Sequence, residues 1–410
     1  VHGPCNIGPD PSPAKAGADC GIAASMRIVH VITRLIVGGA QENTLLSCEG
    51  QHDMGHDVTL ISGPPIGPEG SLLERAERYG YRVEVLPQMR RSILPLHDVL
   101  AWRALVGRFR RLRPHIVHTH SSKAGIIGRW AAYAAGVPAI VHTIHGLAFT
   151  ASTRRWVNAA YRVAESRTAP ITHRIVCVAD AMREQSLRAR VGRRSQYVTV
   201  YSGMDTAPFL SPPRPRAEVR RLLGVGDDDL VAGTIARLFD LKGHDDLIDI
   251  APDLCRRFPR LRFLWVGDGS LRSRLEGRIA ASGLADRFIL TGLVPPARIP
   301  ELACAMDILV HPSRREGLAR ALPQGQLAGC PVVCYDIDGN REGLISGESG
   351  LLVPPFDVRK LSDSLAVLLE DGEKRRRMGQ TGRRFALERF DARVMVGALE
   401  RLYRDLSKER

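Results

Sequence analysis

The chain has 410 residues, of which 44% are apolar and 25% charged, which is typical of a folded globular protein with two or three domains. It carries 58 Lys and Arg against 44 Asp and Glu, a net charge of +14. This excess favours phosphorylated ligands, polyanions or anionic membranes. No nucleic-acid-binding motif accompanies the Arg-rich clusters, so no nucleic acid is expected as a partner.

The eight cysteines are scattered, which suits a reducing compartment. The longest charge-free stretch, residues 130–153, is broken by Gly136, Pro138 and Gly146 and does not resemble a membrane span. We therefore expect a cytoplasmic protein, either free or peripheral at the inner face of the membrane. Residues 1–25 have no periodic apolar face, and we predict a disordered extension there, with Met26 as the natural start.

From residue 26 to 204, seven short β-rich runs alternate with helical patterns. This alternation predicts an N-terminal Rossmann-like domain with a parallel sheet. The runs are "RIVHVI", "DVTLIS", "RVEVL", "HIVHTH", "AIVHTI", "RIVCVA" and "YVTVYS".

The first of these runs leads into Gly38 and Gly39, which precede a helical pattern. Such a turn either holds an anion at the helix N-terminus or simply needs the freedom of glycine. His120 and His145 follow later strands and are expected at the cleft, where an imidazole can titrate near neutral pH. His145, beside Gly146, is a candidate functional residue; His120 is either a residue of the cleft or a structural one.

A second ambiguous pattern lies at residues 94–113, "LPLHDVLAWRALVGRFRRLR", where apolar residues alternate with Arg. An amphipathic helix of this kind can lie on an anionic membrane. A helix packed on its own sheet has the same pattern. The sequence leaves both interpretations open.

The Pro-rich stretch that begins at Asp205 predicts a linker over residues 205–228. A second Rossmann-like domain is expected over residues 229–390. A C-terminal helix over 391–410 is expected to brace the two domains. The overall prediction is an α/β fold of two facing, doubly wound domains with a ligand cleft between them. The second series of runs is "LVAGTIA", "RFLWVG", "RFILTG", "DILVHP", "PVVCY" and "GLLVPP".

Arg237 follows the first strand of this second series, and Lys242 and Gly243 precede the next helix. A guanidinium can bind two phosphate oxygens at once and an ammonium supplies a point charge, so this pair predicts a diphosphate site. Two solvated surface cations are the alternative.

With these motifs in this order, the chain resembles the retaining glycosyltransferases of family 4, which have the GT-B fold. The resemblance implies that residues 26–204 form the acceptor-side domain, with His120 as a candidate acceptor-side residue, and that residues 229–390 form the donor domain. The resemblance runs from Met26 to the C-terminus through "GGAQ", "HTIHG", "TVYSGMD", "GTIARLFDLKG", "LWVGDG", "HPSRREG", "LAGCPVVCYD" and "GLLVPP". It implies that Arg237 and Lys242 bind the diphosphate of a nucleotide-sugar donor, and that Glu316 and His145 lie beside the donor sugar as catalytic residues.

The resemblance also implies that backbone amides after Glu316 cap the phosphates and that Gly38 and Gly39 approach the donor. Gln324 stands where the family has a second acid that holds the ribose hydroxyls, which is a departure from its pattern. The residues expected to supply the amides are Gly317, Leu318, Ala319 and Arg320.

Asp336 and Asp338 have the spacing of metal-binding acids, but they enter a Gly-containing turn. Because Arg237 and Lys242 are expected to neutralise the diphosphate charge, we expect neither a metal site nor a cofactor. The predicted function is transfer of a hexosyl unit, with retention, from a nucleotide-diphosphate sugar to a saccharide or lipid-linked acceptor. The alternatives are a nucleotide-sugar epimerase of the same fold and a non-catalytic sugar-nucleotide binder.

Overall fold

The computed structural model describes residues 25–67, 70–147 and 154–409. The predicted extension over residues 1–25 lies outside them, apart from Ser25. Two parallel sheets organise the described residues. The first contains β1 (Arg27–Ile32), β2 (Asp57–Ser62), β3 (Arg82–Val85), β4 (Ile116–His120), β5 (Ala139–Ile144), β6 (Arg174–Cys177) and β7 (Tyr197–Thr199). The second contains β8 (Leu230–Ile235), β9 (Leu261–Val266), β10 (Phe288–Leu290), β11 (Ile308–His311), β12 (Val332–Tyr335) and β13 (Gly350–Val353).

Helices connect the strands and cover both sheets. Those of the first half are α1 (Gly39–Asp53), α2 (Leu73–Tyr79), α3 (Pro95–Leu112), α4 (Ser122–Ala134), α5 (Arg155–Thr168) and α6 (Asp180–Arg188). Then follow α7 (Ala207–Leu210), α8 (Arg216–Leu222), α9 (His244–Arg257), α10 (Arg272–Ala281), α11 (Ile299–Cys304), α12 (Ala321–Leu327), α13 (Val358–Glu370), α14 (Gly372–Phe390) and α15 (Ala392–Lys408). Because helices shield both faces, central strands such as β11 are apolar and buried along their whole length.

Each sheet is doubly wound. The first has the order β3-β2-β1-β4-β5-β6-β7 and the second β10-β9-β8-β11-β12-β13. The winding reverses between β1 and β4 in the first sheet and between β8 and β11 in the second. Ligands of such sheets bind at the carboxyl ends of the strands where the winding reverses. Each described strand matches a run predicted from the sequence, with β9 beginning one residue earlier at Leu261, and the predicted α/β fold of two Rossmann-like sheets is confirmed.

The predicted linker, residues 205–228, contains the short helices α7 and α8. Arg216 and Arg220 bind Asp307, just before β11, through N–O distances of 2.6 and 2.8 Å. These contacts tie the segment to the second sheet.

The C-terminal helix α15 packs against the first sheet, although it follows the second in sequence. Its apolar residues recur at helical spacing and join Ile28 and Val141 in one core. Asp391 precedes α15, accepts a hydrogen bond from the Arg393 backbone and binds Thr206 Oγ1 at 2.7 Å. The buried residues of this apolar face are Met395, Val396, Leu399, Leu402, Tyr403 and Leu406.

Helix α3 divides its apolar residues between core and solvent. Leu105, Val106 and Phe109 are buried against the sheet, as expected for a packed helix. Toward its N-terminus, Leu96 and Val99 are 72% and 54% exposed. Both interpretations of this segment therefore keep a structural basis. None of the described helices is long and apolar enough to cross a membrane, and the six cysteines in the described ranges are buried and unpaired.

Candidate active site

The centre of the site is Glu316, on the loop between β11 and α12. One oxygen of its carboxylate contacts Lys242 Nζ and accepts a hydrogen bond from His311 Nε2 at 2.9 Å. Lys242 follows β8 and His311 ends β11, so the reversal of winding in the second sheet brings these three residues together. Gly243 has φ +70°, and a Cβ there would lie 2.0 Å from the Pro312 carbonyl oxygen. Only glycine allows this close approach of the two strand ends.

The Glu316 side chain is 14% exposed, and burial alone would raise its pKa. The hydrogen bond and charge of His311 and the charge of Lys242 outweigh burial and lower the pKa to about 2. The carboxylate is therefore ionised at neutral pH.

The predicted turn residues Asp336 and Asp338 both contact protein groups. Asp336 pairs with Arg341. Asp338 accepts a hydrogen bond from the Glu316 backbone N–H at 3.0 Å and another from Gln185 at 2.7 Å. Asp338 thus holds the loop that carries Glu316.

The four residues after Glu316 precede α12, which begins at Ala321. Leu318 and Ala319 are buried. A Cβ on Gly317 would lie 3.0 Å from the His145 carbonyl oxygen, so His145 of the first half directly faces this loop. The structure therefore brings together the two predicted catalytic segments.

Arg320 crosses the cleft with its side chain. It binds Glu42 of α1 at 2.9 Å and the Gly203 carbonyl oxygen at 3.1 Å. A Cβ on Gly39 would lie 2.7 Å from Arg320 Cδ. Gly39 is therefore needed for the approach of Arg320, whereas Gly38 has an extended φ of 173° that any residue adopts.

Three adjoining cavities meet at Glu316. A cavity of about 610 Å³ is lined by Gly39, Lys242, Arg320 and Gln324 as well as Glu316. The second, of about 1180 Å³, includes Arg237, Lys242 and Gly317, and the third, of about 220 Å³, includes His145. The exposed Arg237 guanidinium lies 4.7 Å from the centre of the Phe239 ring.

The first half contributes neutral histidines. His120 is fully buried and contacts His145 Nε2 through its own Nδ1 at 3.1 Å. Burial and, to a smaller extent, the charge of Arg320 lower the pKa of His145 to about 3. Burial and neighbouring histidines likewise lower the pKa of His120 well below its ordinary value. His120 therefore lies behind His145 rather than at the cleft surface.

Sequence reasoning missed several residues at this site. His311 ends a strand, as His120 does, so the same argument applied to "DILVHP" finds it. Asp338, predicted as a turn residue, begins a 3-10 helix over Asp338–Gly343, and its contact with the Glu316 loop was missed. Glu42 carries no local signal, because its partner Arg320 is 278 residues away.

Comparison with known proteins gives the family. The family model described as glycosyl transferases group 1 matches residues 215–385, and the glycosyl transferase 4-like domain matches residues 38–203. The 2-deoxystreptamine N-acetyl-D-glucosaminyltransferase of Streptomyces fradiae is 30% identical, covering 89% of this chain and 90% of that protein.

Two further proteins are similar over most of their length. The UDP-Gal:alpha-D-GlcNAc-diphosphoundecaprenol alpha-1,3-galactosyltransferase of Escherichia coli is 28% identical over 85% of this chain and 89% of that protein. The crystal structure of Anabaena Alr3699/HepE in complex with UDP has a TM-score of 0.80 and 22% identity, covering 93% of this chain and all of that one. The chain belongs to the glycosyl transferases group 1, and its fold is GT-B.

The buried histidines predict that the free energy of unfolding falls in acid. Burial lowers the pKa of His30 to about 4 and that of His118 well below its ordinary value, whereas both titrate near pH 6.5 in an unfolded chain. Below about pH 6.5 the unfolded chain binds protons that the folded chain does not, so stability falls as the pH falls. We expect each such histidine to lower the free energy of unfolding by about 1.4 kcal/mol per pH unit between pH 6 and 5.

Urea denaturation at several pH values measures this slope. His118→Gln should reduce the slope by about one proton, because glutamine does not titrate. A slope that is the same in this variant and in the wild type would contradict the prediction.

Proposed function

We propose that the protein transfers a hexosyl unit from a nucleotide-diphosphate sugar to an acceptor hydroxyl, with retention at the anomeric carbon. The observation that carries this proposal is the group formed by Lys242, His311 and Glu316 at a strand-end crevice, facing His145 across the cleft. A cation, an ionised acid and a neutral imidazole converge there beside cavities large enough for a nucleotide sugar.

In this proposal Arg237 and Lys242 bind the diphosphate. Both line the cavity of about 1180 Å³, which also includes Gly317. Lys242 pairs with Glu316 in this structure. A bound diphosphate therefore shares the positive charge of Lys242 with the Glu316 carboxylate. Backbone amides of residues 317–320 add further donors, and Gln324 in the neighbouring cavity faces the ribose.

Glu316 stabilises the positive charge that develops on the sugar as its bond to the diphosphate lengthens. Lys242 and His311 already hold its carboxylate, so a same-face mechanism is favoured over a covalent intermediate on Glu316. The bond from the anomeric carbon to phosphate oxygen breaks, and the acceptor oxygen bonds to that carbon on the same face. The acceptor proton passes to the departing phosphate oxygen. His145, being neutral, places no charge against the developing cation.

The proposed acceptor is a saccharide or a lipid-linked molecule at an anionic membrane. Leu96, Val99 and Trp102 of α3 expose apolar surface, and Arg103 on the same helix is also exposed. An apolar patch with adjacent basic residues suits an anionic lipid surface. The Escherichia coli relative is named for a diphosphoundecaprenol-linked acceptor, which supports this choice of substrate class.

Release of nucleoside diphosphate from a panel of nucleotide sugars, with and without acceptors, tests the proposed function. Transfer to an acceptor with retained anomeric configuration is the expected result. An isomerised free donor would instead indicate an epimerase, and binding without turnover would indicate a non-catalytic binder.

Variants of two residues test the donor site. Glu316→Gln should lower turnover about a hundredfold with little change in affinity, because its charge acts mainly in the transition state. Gln324→Ala should cost about 0.5–1.5 kcal/mol of donor affinity, the net value of a neutral hydrogen bond, and Gln324→Glu should bind equally or more tightly. Calorimetry and nucleotide release measure both. Wild-type behaviour of Glu316→Gln and Gln324→Ala would show that the donor binds elsewhere.

Activity should persist in EDTA, because cationic side chains and backbone amides of the protein neutralise the diphosphate charge without a metal ion. Arg237→Ala and Lys242→Ala should each weaken donor binding by about 1.5–3 kcal/mol, the value of a charge-assisted hydrogen bond. Arg256→Ala is the matched control, since this exposed Arg pairs with Asp253, away from the residues that line the cleft. Loss of activity on chelation, restored by Mg²⁺ or Mn²⁺, would contradict the proposal.

Membrane contact is tested by co-sedimentation with phosphatidylglycerol vesicles. Replacing Leu96, Val99 and Trp102 together by Ser should weaken binding at least about tenfold, because burial of their apolar surface is lost. Leu293→Ser, at a residue that is 66% exposed in the second half, is the matched control. Equal binding by the triple variant and the wild type would exclude α3 as the contact.

A further inference from the structure

A line of hydrogen bonds runs through the first half from α1 to the active site. Gln51 Oε1 lies 2.7 Å from His30 Nε2, and His30 Nδ1 lies 2.9 Å from His120 Nε2. His120 Nδ1 then lies 3.1 Å from His145 Nε2. Gln51, His30 and His120 are all 0% exposed, so water does not compete for these bonds.

The parallel sheet explains this alignment. β1, β4 and β5 are neighbours, and His30 pairs in register with His118, two residues before His120. Residues two apart on a strand share a face, which places His30 and His120 on the same side as α1. His145 follows β5 at its carboxyl end.

Hydrogen-bond chemistry gives the line a direction. An amide oxygen only accepts, so His30 must carry its hydrogen on Nε2. A neutral imidazole has one N–H, so His30 Nδ1 accepts from His120 Nε2–H. By the same step, His120 Nδ1 accepts from His145 Nε2–H, and His145 is left with an Nδ1 that can only accept.

The neutral state is essential, because a doubly protonated ring would break the alternation of donors and acceptors. Burial lowers the pKa of His30 to about 4, although the hydrogen bond that His30 donates to Gln51 raises it. The low pKa values of His120 and His145 have the same principal cause, which is burial.

We propose that Gln51, acting through His30 and His120, is a positioning residue that fixes the tautomer and orientation of His145. The functional part of this inference rests on the proposed function, in which His145 lies beside the donor sugar. The tautomer itself is a property of the unliganded protein. The hydrogen bond at one imidazole nitrogen decides which nitrogen of the ring is protonated. Residues that hydrogen-bond to a functional histidine from behind commonly fix its tautomer and orientation.

A metal site is the competing interpretation of the same residues. Ring nitrogens of His30, His118 and His120 lie within 4.8 Å of one another. However, both nitrogens of each ring already have hydrogen-bond partners, since His118 contacts Tyr403 at 2.5 Å and Thr143 at 2.6 Å. The hydrogen-bonded arrangement accounts for all six nitrogens without an ion.

The test is the ¹⁵N spectrum of the histidine-labelled, unliganded protein, in which protonated and unprotonated ring nitrogens are distinct. His145→Gln identifies the His145 signals. In the wild type we expect a single His145 species with hydrogen on Nε2. In Gln51→Met, which keeps the length of the side chain without its amide, we expect a mixture of tautomers. Turnover should fall about tenfold, the scale for loss of a supporting partner, with KM unchanged within about twofold.

Thr119→Val is the matched control. Thr119 is also 0% exposed and lies between His118 and His120, but its hydroxyl contacts His142, away from the line. This variant should keep the wild-type tautomer and turnover.

Three results would overturn the proposal. They are hydrogen on His145 Nδ1 in the wild type, an unchanged His145 tautomer in Gln51→Met, and stoichiometric bound metal that is lost in His120→Gln. If Gln51→Met does not fold, the wild-type spectrum still decides the direction of the line. If the wild type transfers no sugar, the proposed function fails, whereas the spectrum tests the tautomer independently.

Discussion

A partly buried negative charge on Glu316 is the constraint on which the rest of the site depends. A carboxylate in this position is costly unless it is paired, and here an ammonium and an imidazole share one of its oxygens. His311 ends β11 and Lys242 follows β8, and the second sheet reverses its winding between these two strands. The requirement to keep one acid ionised therefore explains the close approach at Gly243 and the support that Asp338 gives to the loop.

The two halves meet through a second ion pair. Arg320 belongs to the same loop as Glu316 but binds Glu42 of the first half, and Glu342 likewise accepts hydrogen bonds from the backbone of Asp180 at 2.6 Å and Ala181 at 2.8 Å. Charges of the second half thus reach the N-terminal ends of helices in the first. Movement of one half relative to the other would have to break or exchange these contacts.

Most of the fold was predictable from sequence, because strands buried on both faces must be short apolar runs. The runs "RIVHVI" and "DILVHP" identify β1 and β11 without further information. The position of a candidate residue at the sheet edge was predictable where it directly follows such a run, as with Arg237 and His145. Glu42 and Gln51 could not be found this way, because both lie within a helix and acquire their roles only when α1 packs against other elements.

The electrostatic roles of the two halves differ, and burial accounts for the difference. In the first half burial keeps His120 and His145 neutral, so these two histidines present dipoles rather than charges. In the second half the charge of Lys242 and the hydrogen bond of His311 overcome burial and keep Glu316 ionised. A sugar that becomes positively charged between the two walls meets an anion on one side and no opposing imidazolium on the other. A neutral His145 is then as necessary to the proposed chemistry as the acid, because a positive charge on its ring would cancel part of the stabilisation that Glu316 provides.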